Sequence, residues 1–177
     1  ATLINTSALA ARGNGGETTF SDAATAANAV IENVGSPSSV EGSGGVFFYD
    51  DAAAAQATIN NQAGAQKFAT GGFAEFDDAS TAGQATIVNR GAAAVEADGG
   101  QLEVFDNDSA GEAIITNESA TASSGFGPRL AQLSRPSSRG HAHTRSSRPP
   151  PCRSTGGTGP FRGAASARHR ATTAPPP

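Results

Sequence analysis

FDDASTAGQATIVNRG, residues 76–91, contains no His, no Cys and no aromatic residue after its first, yet versions of it recur along the chain. The Ala that opens ATLIN, AVIEN, ATINN, ATIVN and AIITN stands at Ala1, Ala29, Ala57, Ala85 and Ala113, a spacing of 28 each time. Gly16, Gly44, Gly72 and Gly100 keep the same phase, as do Phe20, Phe48, Phe76 and Val104, and Asp22, Asp50, Asp78 and Asp106. Ile31, Ile59, Ile87 and Ile115 follow, with Leu3 as their earlier equivalent, and then Asn5, Asn33, Asn61, Asn89 and Asn117. The unit reads G-x-x-x-F-x-D-x-x-x-A-x-x-A-x-I-x-N, followed by a looser ten residues. Self-similarity at one fixed period signals stacked supersecondary units, none of which can bury its apolar face alone.

Within the unit the invariant positions alternate, 18, 20 and 22 in one run and 29, 31 and 33 in another. That is the period of strands with one buried face. A third run, around Val40, Phe68 and Val95, is weaker and shifts by a residue between units. The pattern predicts an all-β fold: a right-handed parallel β-helix of about four coils, with three short strands and three turns in each 28-residue rung. Phe20, Phe48 and Phe76 are expected to stack along one inner face and the Ile residues along another, with Ala29, Ala57, Ala85 and Ala113 keeping the sides close. The competing architecture is a strand-plus-helix solenoid, in which Asp caps a helix through DASTAGQATIVN. Gly83 and Gly111 would then fall in mid-helix, at a cost of about 1 kcal/mol each relative to Ala, and β-branched residues follow them.

Charge divides the chain near Phe126. All sixteen acidic residues lie in 1–127, against Arg12, Lys67 and Arg90, so that region carries a formal −13. From Pro128 onward there are nine Arg and no Asp or Glu, together with nine of the ten Pro, all three His and the one Cys. An acidic repeat region is a poor match for nucleic acid, whereas the basic segment attracts polyanions without selectivity. A single cysteine provides no disulfide framework. No stretch reaches the apolar length of a membrane span, and the N-terminus lacks the features of a signal peptide. The chain starts within a repeat and contains no Met, so it reads as a piece of a longer array whose targeting signal would lie elsewhere.

The Asn column suits coil corners, where side-chain amides satisfy backbone groups and bond one another along the stack. The Asp column is expected to face solvent, each Asp accepting backbone N–H bonds in an Asx-turn. Its alternative is a hard-cation site drawing on Asp50, Asp51, Asp77, Asp78, Asp106 and Asp108, but no EF-hand loop or calcium nonapeptide is present. Catalysis on such a scaffold needs residues that break the repeat in one cleft. Candidates are few: Lys67, Arg90, and the acid pair Glu75 and Asp77. No catalytic, cofactor-binding or metal-binding residue is assigned, no cofactor is expected, and the chain reads as a non-enzyme. His141, His143 and Cys152 fit no zinc spacing.

GGFAEFDDASTAGQATIVNRG, GGVFFYDDAAAAQATINNQAG and GQLEVFDNDSAGEAIITNES resemble the G-G-x-x-x-F-x-D-x-S-x-A-G-x-A-x-I-x-N-x-G repeats of large bacterial surface proteins, including autotransporter passenger regions. The resemblance covers about residues 1–124, with Ala24 and Ala52 where Ser is usual. It implies an exported structural or adhesive stalk at the cell surface, with an outer-membrane barrel elsewhere in the full protein. Its partner would be a host surface, a neighbouring cell or a polysaccharide. The alternative function is a polysaccharide-processing β-helix enzyme, a lyase or glycosidase. Residues 128–177 form a second region. In register the next coil calls for Gly at 128, Phe near 132 and Asp at 134, where the chain has Pro128, Gln132 and Ser134. This Arg/Pro/Ser-rich segment is expected to be a disordered tail, of a composition that GC-rich DNA yields when translated out of frame.

Overall fold

The computed structural model describes residues 1–106, 110–134 and 143–146, and the chain is all-β over that range. Strands come in pairs, one pair per coil. They are β1 (Thr2–Asn5), β2 (Glu17–Phe20), β3 (Val30–Asn33), β4 (Gly45–Phe48), β5 (Thr58–Asn61), β6 (Phe73–Phe76), β7 (Thr86–Asn89), β8 (Gln101–Asp106), β9 (Ile114–Asn117), β10 (Arg129–Ser134) and β11 (His143–Ser146). Odd-numbered strands form one sheet in the order β1-β3-β5-β7-β9-β11, and even-numbered strands a second in the order β10-β8-β6-β4-β2. Every pairing is parallel, and equivalent residues pair directly: Ile31 with Ile59, Ile59 with Ile87, Phe48 with Phe76. The chain is a parallel β-solenoid of about four turns. No helix occurs among the described residues, and the DASTAGQATIVN segment is a turn followed by β7.

A rung holds two strands, not three. The run around Val40, Phe68 and Val95 forms no strand; all three side chains are exposed, and Phe68 has φ 61°. It belongs to the looser ten residues, which make one long turn closed at its base by Gly16 N–H to Thr6 O, Gly44 to Val34, Gly72 to Gln62 and Gly100 to Arg90, at 2.6–2.8 Å. Its middle is tied to the neighbouring coil by single bonds, Arg12 N–H to Val40 O at 2.6 Å and Phe68 N–H to Glu96 O at 3.0 Å, not by a strand ladder, so its apolar residues can drift in phase. On the other side of the rung, single parallel bridges link Thr25 to Ala53 and Ala53 to Thr81.

The core lies between the sheets. Ile31, Ile59 and Ile87 and Phe48 are fully buried, Phe76 is 1% exposed, and Ala29, Ala57, Ala85 and Ala113 close the sides. Phe20, Phe48 and Phe76 stack face to face, with centroids 4.9 and 4.7 Å apart and interplanar angles of 6° and 3°. Those separations are the strand spacing itself, about 4.8 Å. Val104 ends the Phe column, and in the same rung Leu102 replaces the Ala74 below it, so volume lost at one inward position returns at the other. Each buried Asn donates its Nδ2–H to the Oδ1 of the next, from Asn5 through Asn33, Asn61 and Asn89 to Asn117, at 2.7–2.8 Å.

Beyond residue 127, where the consensus lapses, β10 pairs with β8 at the same 28-residue offset and β11 with β9 at an offset of 29. The remainder of the expected disordered tail, residues 135–142 and 147–177, lies outside the described residues.

Candidate functional site

The residues that sequence singled out for chemistry are not gathered in one place. Lys67 sits in the long turn, with its Nζ 3.1 Å from Glu96 of the next coil and 4.7 Å above the ring of its neighbour Phe68. Arg90 stands at the base of the following long turn and pairs with Glu118 at 2.6 Å. Both cations are engaged by carboxylates other than Glu75 and Asp77. Glu75 points outward from β6, and Asp77 follows that strand.

In the Asp column, Asp22, Asp50 and Asp78 have φ of 55°, 56° and 67°. This left-handed conformation is one that Asp tolerates better than most residues. Oδ2 of Asp50 accepts the backbone N–H of Asp22 at 3.1 Å, and Oδ2 of Asp78 accepts that of Asp50 at 3.4 Å. The carboxylates therefore cap the turn of the coil before, in place of the local Asx-turn expected. Asp77 Oδ1 accepts the N–H of the adjacent Asp78 at 2.8 Å. Among the described residues no group of three or more His, Cys, Asp or Glu side chains is arranged to hold a metal ion. Asp108, His141 and Cys152 lie outside the described residues, as does the side chain of Asp106, and His143 is described only as the first residue of β11.

Around Glu75, the outer face of the second sheet gathers aromatic side chains that the repeat pattern does not single out. With Phe48 and Phe76 turned inward, alternation turns Phe47, Phe73 and Glu75 outward. Phe47 stacks beside Tyr49 at 5.9 Å and 13°, and meets Phe73 edge-on at 5.1 Å and 76°. Gly45 makes room for this group, because a Cβ there would lie 2.3 Å from the tip of the Phe73 ring. Carboxylates surround the rings. Glu75 pairs in register with Phe47 on one side and Glu103 on the other, and Tyr49 Oη lies 3.5 Å from Glu75 Oε1. Partial burial, then the charges of Glu103 and Asp77, push the Glu75 carboxyl above its ordinary range, while the Tyr49 hydroxyl pulls it back. Tyr49 is likewise raised, by burial first and then by Glu75 and Asp77. The rule of alternation, applied outward instead of inward, is the signal that would have found this face.

No helix among the described residues is long and apolar enough to cross a membrane. Compared with family profiles, curated proteins and solved structures, the chain matches none, so what it does is argued from its own geometry.

Proposed function

We propose that the chain is a structural or adhesive segment of an exported bacterial cell-surface protein, a repetitive stalk of the autotransporter-passenger kind. The observation that supports this reading is the in-register pairing of equivalent residues from β1 to β9 and from β2 to β8 over the shared buried Asn, Ile and Phe columns. Such a rod lengthens by about 4.8 Å per coil and repeats its outer surface at the same interval. Reach and repetition are what a stalk supplies, and its partner would be a host surface, a neighbouring cell or a polysaccharide on either. Antibodies against the chain should label intact cells that make the protein, and external protease should remove the label. Labelling only after permeabilisation would overturn the surface assignment.

A second reading, a polysaccharide-processing enzyme, draws on Glu75. A carboxyl raised by burial and by the charges of Glu103 and Asp77 is the kind of acid that glycosidic cleavage uses. Release of reducing or unsaturated ends from a polysaccharide, abolished by Glu75→Gln, would favour that reading over the stalk.

A further inference from the structure

The repeat region is itself a polyanion, and the segment that follows it is a polycation of the same chain. We propose that the outer face of the second sheet docks the chain's own arginine-bearing segment, residues 147–177, with guanidinium groups set among Glu17, Glu75, Asp77 and Glu103 and against the rings of Phe47, Tyr49 and Phe73.

Charge complementarity selects this face over the others. Elsewhere on the solenoid most carboxylates already have partners: Glu96 has Lys67, Glu118 has Arg90, Glu32 accepts from Asn60 and Gln62, Glu112 accepts from Gln84, and Asp50 and Asp78 accept backbone N–H groups. On the second sheet Glu75 has only the long contact with Tyr49, and among the described residues no side-chain hydrogen bond or ion pair engages Glu17 or Glu103. Glu75 and Glu103 are directly paired like charges, an arrangement that a cation relieves. The one basic residue of the outward column Glu17, Gly45, Phe73 and Gln101 is Arg129, exposed one coil farther on. Guanidinium groups also stack on aromatic faces, which ammonium groups do less well, and the segment carries Arg148, Arg153, Arg162, Arg168 and Arg170 with no Lys. Reach is ample. The 31 residues after Ser146 can extend on the order of 100 Å, whereas four coils of sheet span about 20 Å.

Trypsin cleavage of the full chain after Arg153, Arg162, Arg168 and Arg170 reads the docking directly. Cleavage is expected to be roughly tenfold slower in about 20 mM salt than in about 500 mM salt, because screening releases exposed ion pairs. Glu75→Gln combined with Glu103→Gln should abolish that salt dependence while leaving the far-ultraviolet spectrum of the solenoid unchanged. Glu32→Gln with Glu112→Gln, on the other sheet, should leave the dependence intact. Tyr49, the single tyrosine, provides a second readout: its emission should shift with salt in the wild type and not after Arg→Gln substitution at all five arginines. Equal cleavage rates at both salt concentrations, or a dependence that survives the Glu75/Glu103 double substitution, would overturn the proposal. Protection that grows with protein concentration would move the contact to neighbouring chains and overturn docking within one chain.

Discussion

Gly72 faces the main-chain oxygen of Asn33 so closely that a Cβ on it would lie 2.1 Å from that atom, and Gly44 and Gly100 stand in the same relation to Asn5 and Asn61. The glycine column of the repeat is thus fixed by the close approach of the long turn to the corner Asn. Gly72→Ala should cost upwards of about 3 kcal/mol in urea unfolding, since backbone atoms must move. Gly83→Ala is the control. Gly83 has φ 59°, but the equivalent Ala27 and Ala55 already adopt φ of 51° and 55°, so the cost there should be near 1 kcal/mol.

Asn61 sits at the centre of the buried amide ladder, accepting from Asn33 and donating both to Asn89 and to the carbonyl of Gln101. Asn61→Leu leaves buried amide groups of two neighbours unpaired, and a loss of about 2–4 kcal/mol is expected in denaturant unfolding. Asn60→Ala, half-exposed on the outer face of the same strand, should change stability by less than about 1 kcal/mol.

Phe48 is covered by a ring on each side, whereas Phe20 has one such neighbour and is only partly buried. Phe48→Ala is expected to lower stability by about 3–5 kcal/mol, and Phe20→Ala by distinctly less. Equal thermal shifts for the two variants would argue against a continuous aromatic stack.

The raised carboxyl of Glu75 gives a pH signature of definite sign. Between the unfolded value and the raised folded one, the native state holds a proton that the unfolded state has released, so stability falls as pH rises through that window. In a chain whose Arg148, Arg153, Arg162, Arg168 and Arg170 are replaced by Gln, so that no guanidinium offsets the charge, Glu75→Gln removes the loss. The variant should be more stable than that background above the window, with the advantage vanishing in acid below the unfolded value. Because Glu75 is substantially solvated, the difference should shrink further as salt is added.

Asp78 combines a left-handed backbone with a carboxylate that caps the coil before it. Asp78→Asn retains both properties and should alter stability by no more than about 0.5 kcal/mol, while Asp78→Val loses both and should cost about 2 kcal/mol. Millimolar calcium should not raise the melting temperature of either protein; a rise confined to the Asp-containing chain would restore the cation reading of this column.

Much of the solenoid was legible because a repeat writes its buried positions several times over. Asn33, Ile59 and Phe76 are inward for the reasons their columns suggested, and the amide ladder follows from placing Asn at one corner in every rung. The expected third strand is absent because the apolar Val40, Phe68 and Val95 stand exposed in the long turn. The loop, closed by the hydrogen bond from Gly72 to Gln62, is tied to the next coil by single bonds such as Phe68 N–H to Glu96 O, so no strand ladder sets which way its side chains face. The pairing of β10 was hidden for the opposite reason: ladder bonds are made by the backbone, so Gln132 can lie beside Val104 without resembling it. The outer aromatic face was obscured because Phe47 and Phe73 occupy different columns of the repeat and meet only across neighbouring strands.

The amide ladder also has a direction. Every Nδ2–H from Asn5 to Asn89 donates toward the higher-numbered coil, so the side-chain dipoles add along the rod instead of cancelling. At the low-numbered end the Oδ1 of Asn5 takes its proton from Thr18 Oγ1, at 2.7 Å, in place of an amide. The stack is therefore a vector: its hydrogen bonds all run one way along the rod, and a hydroxyl closes its accepting end.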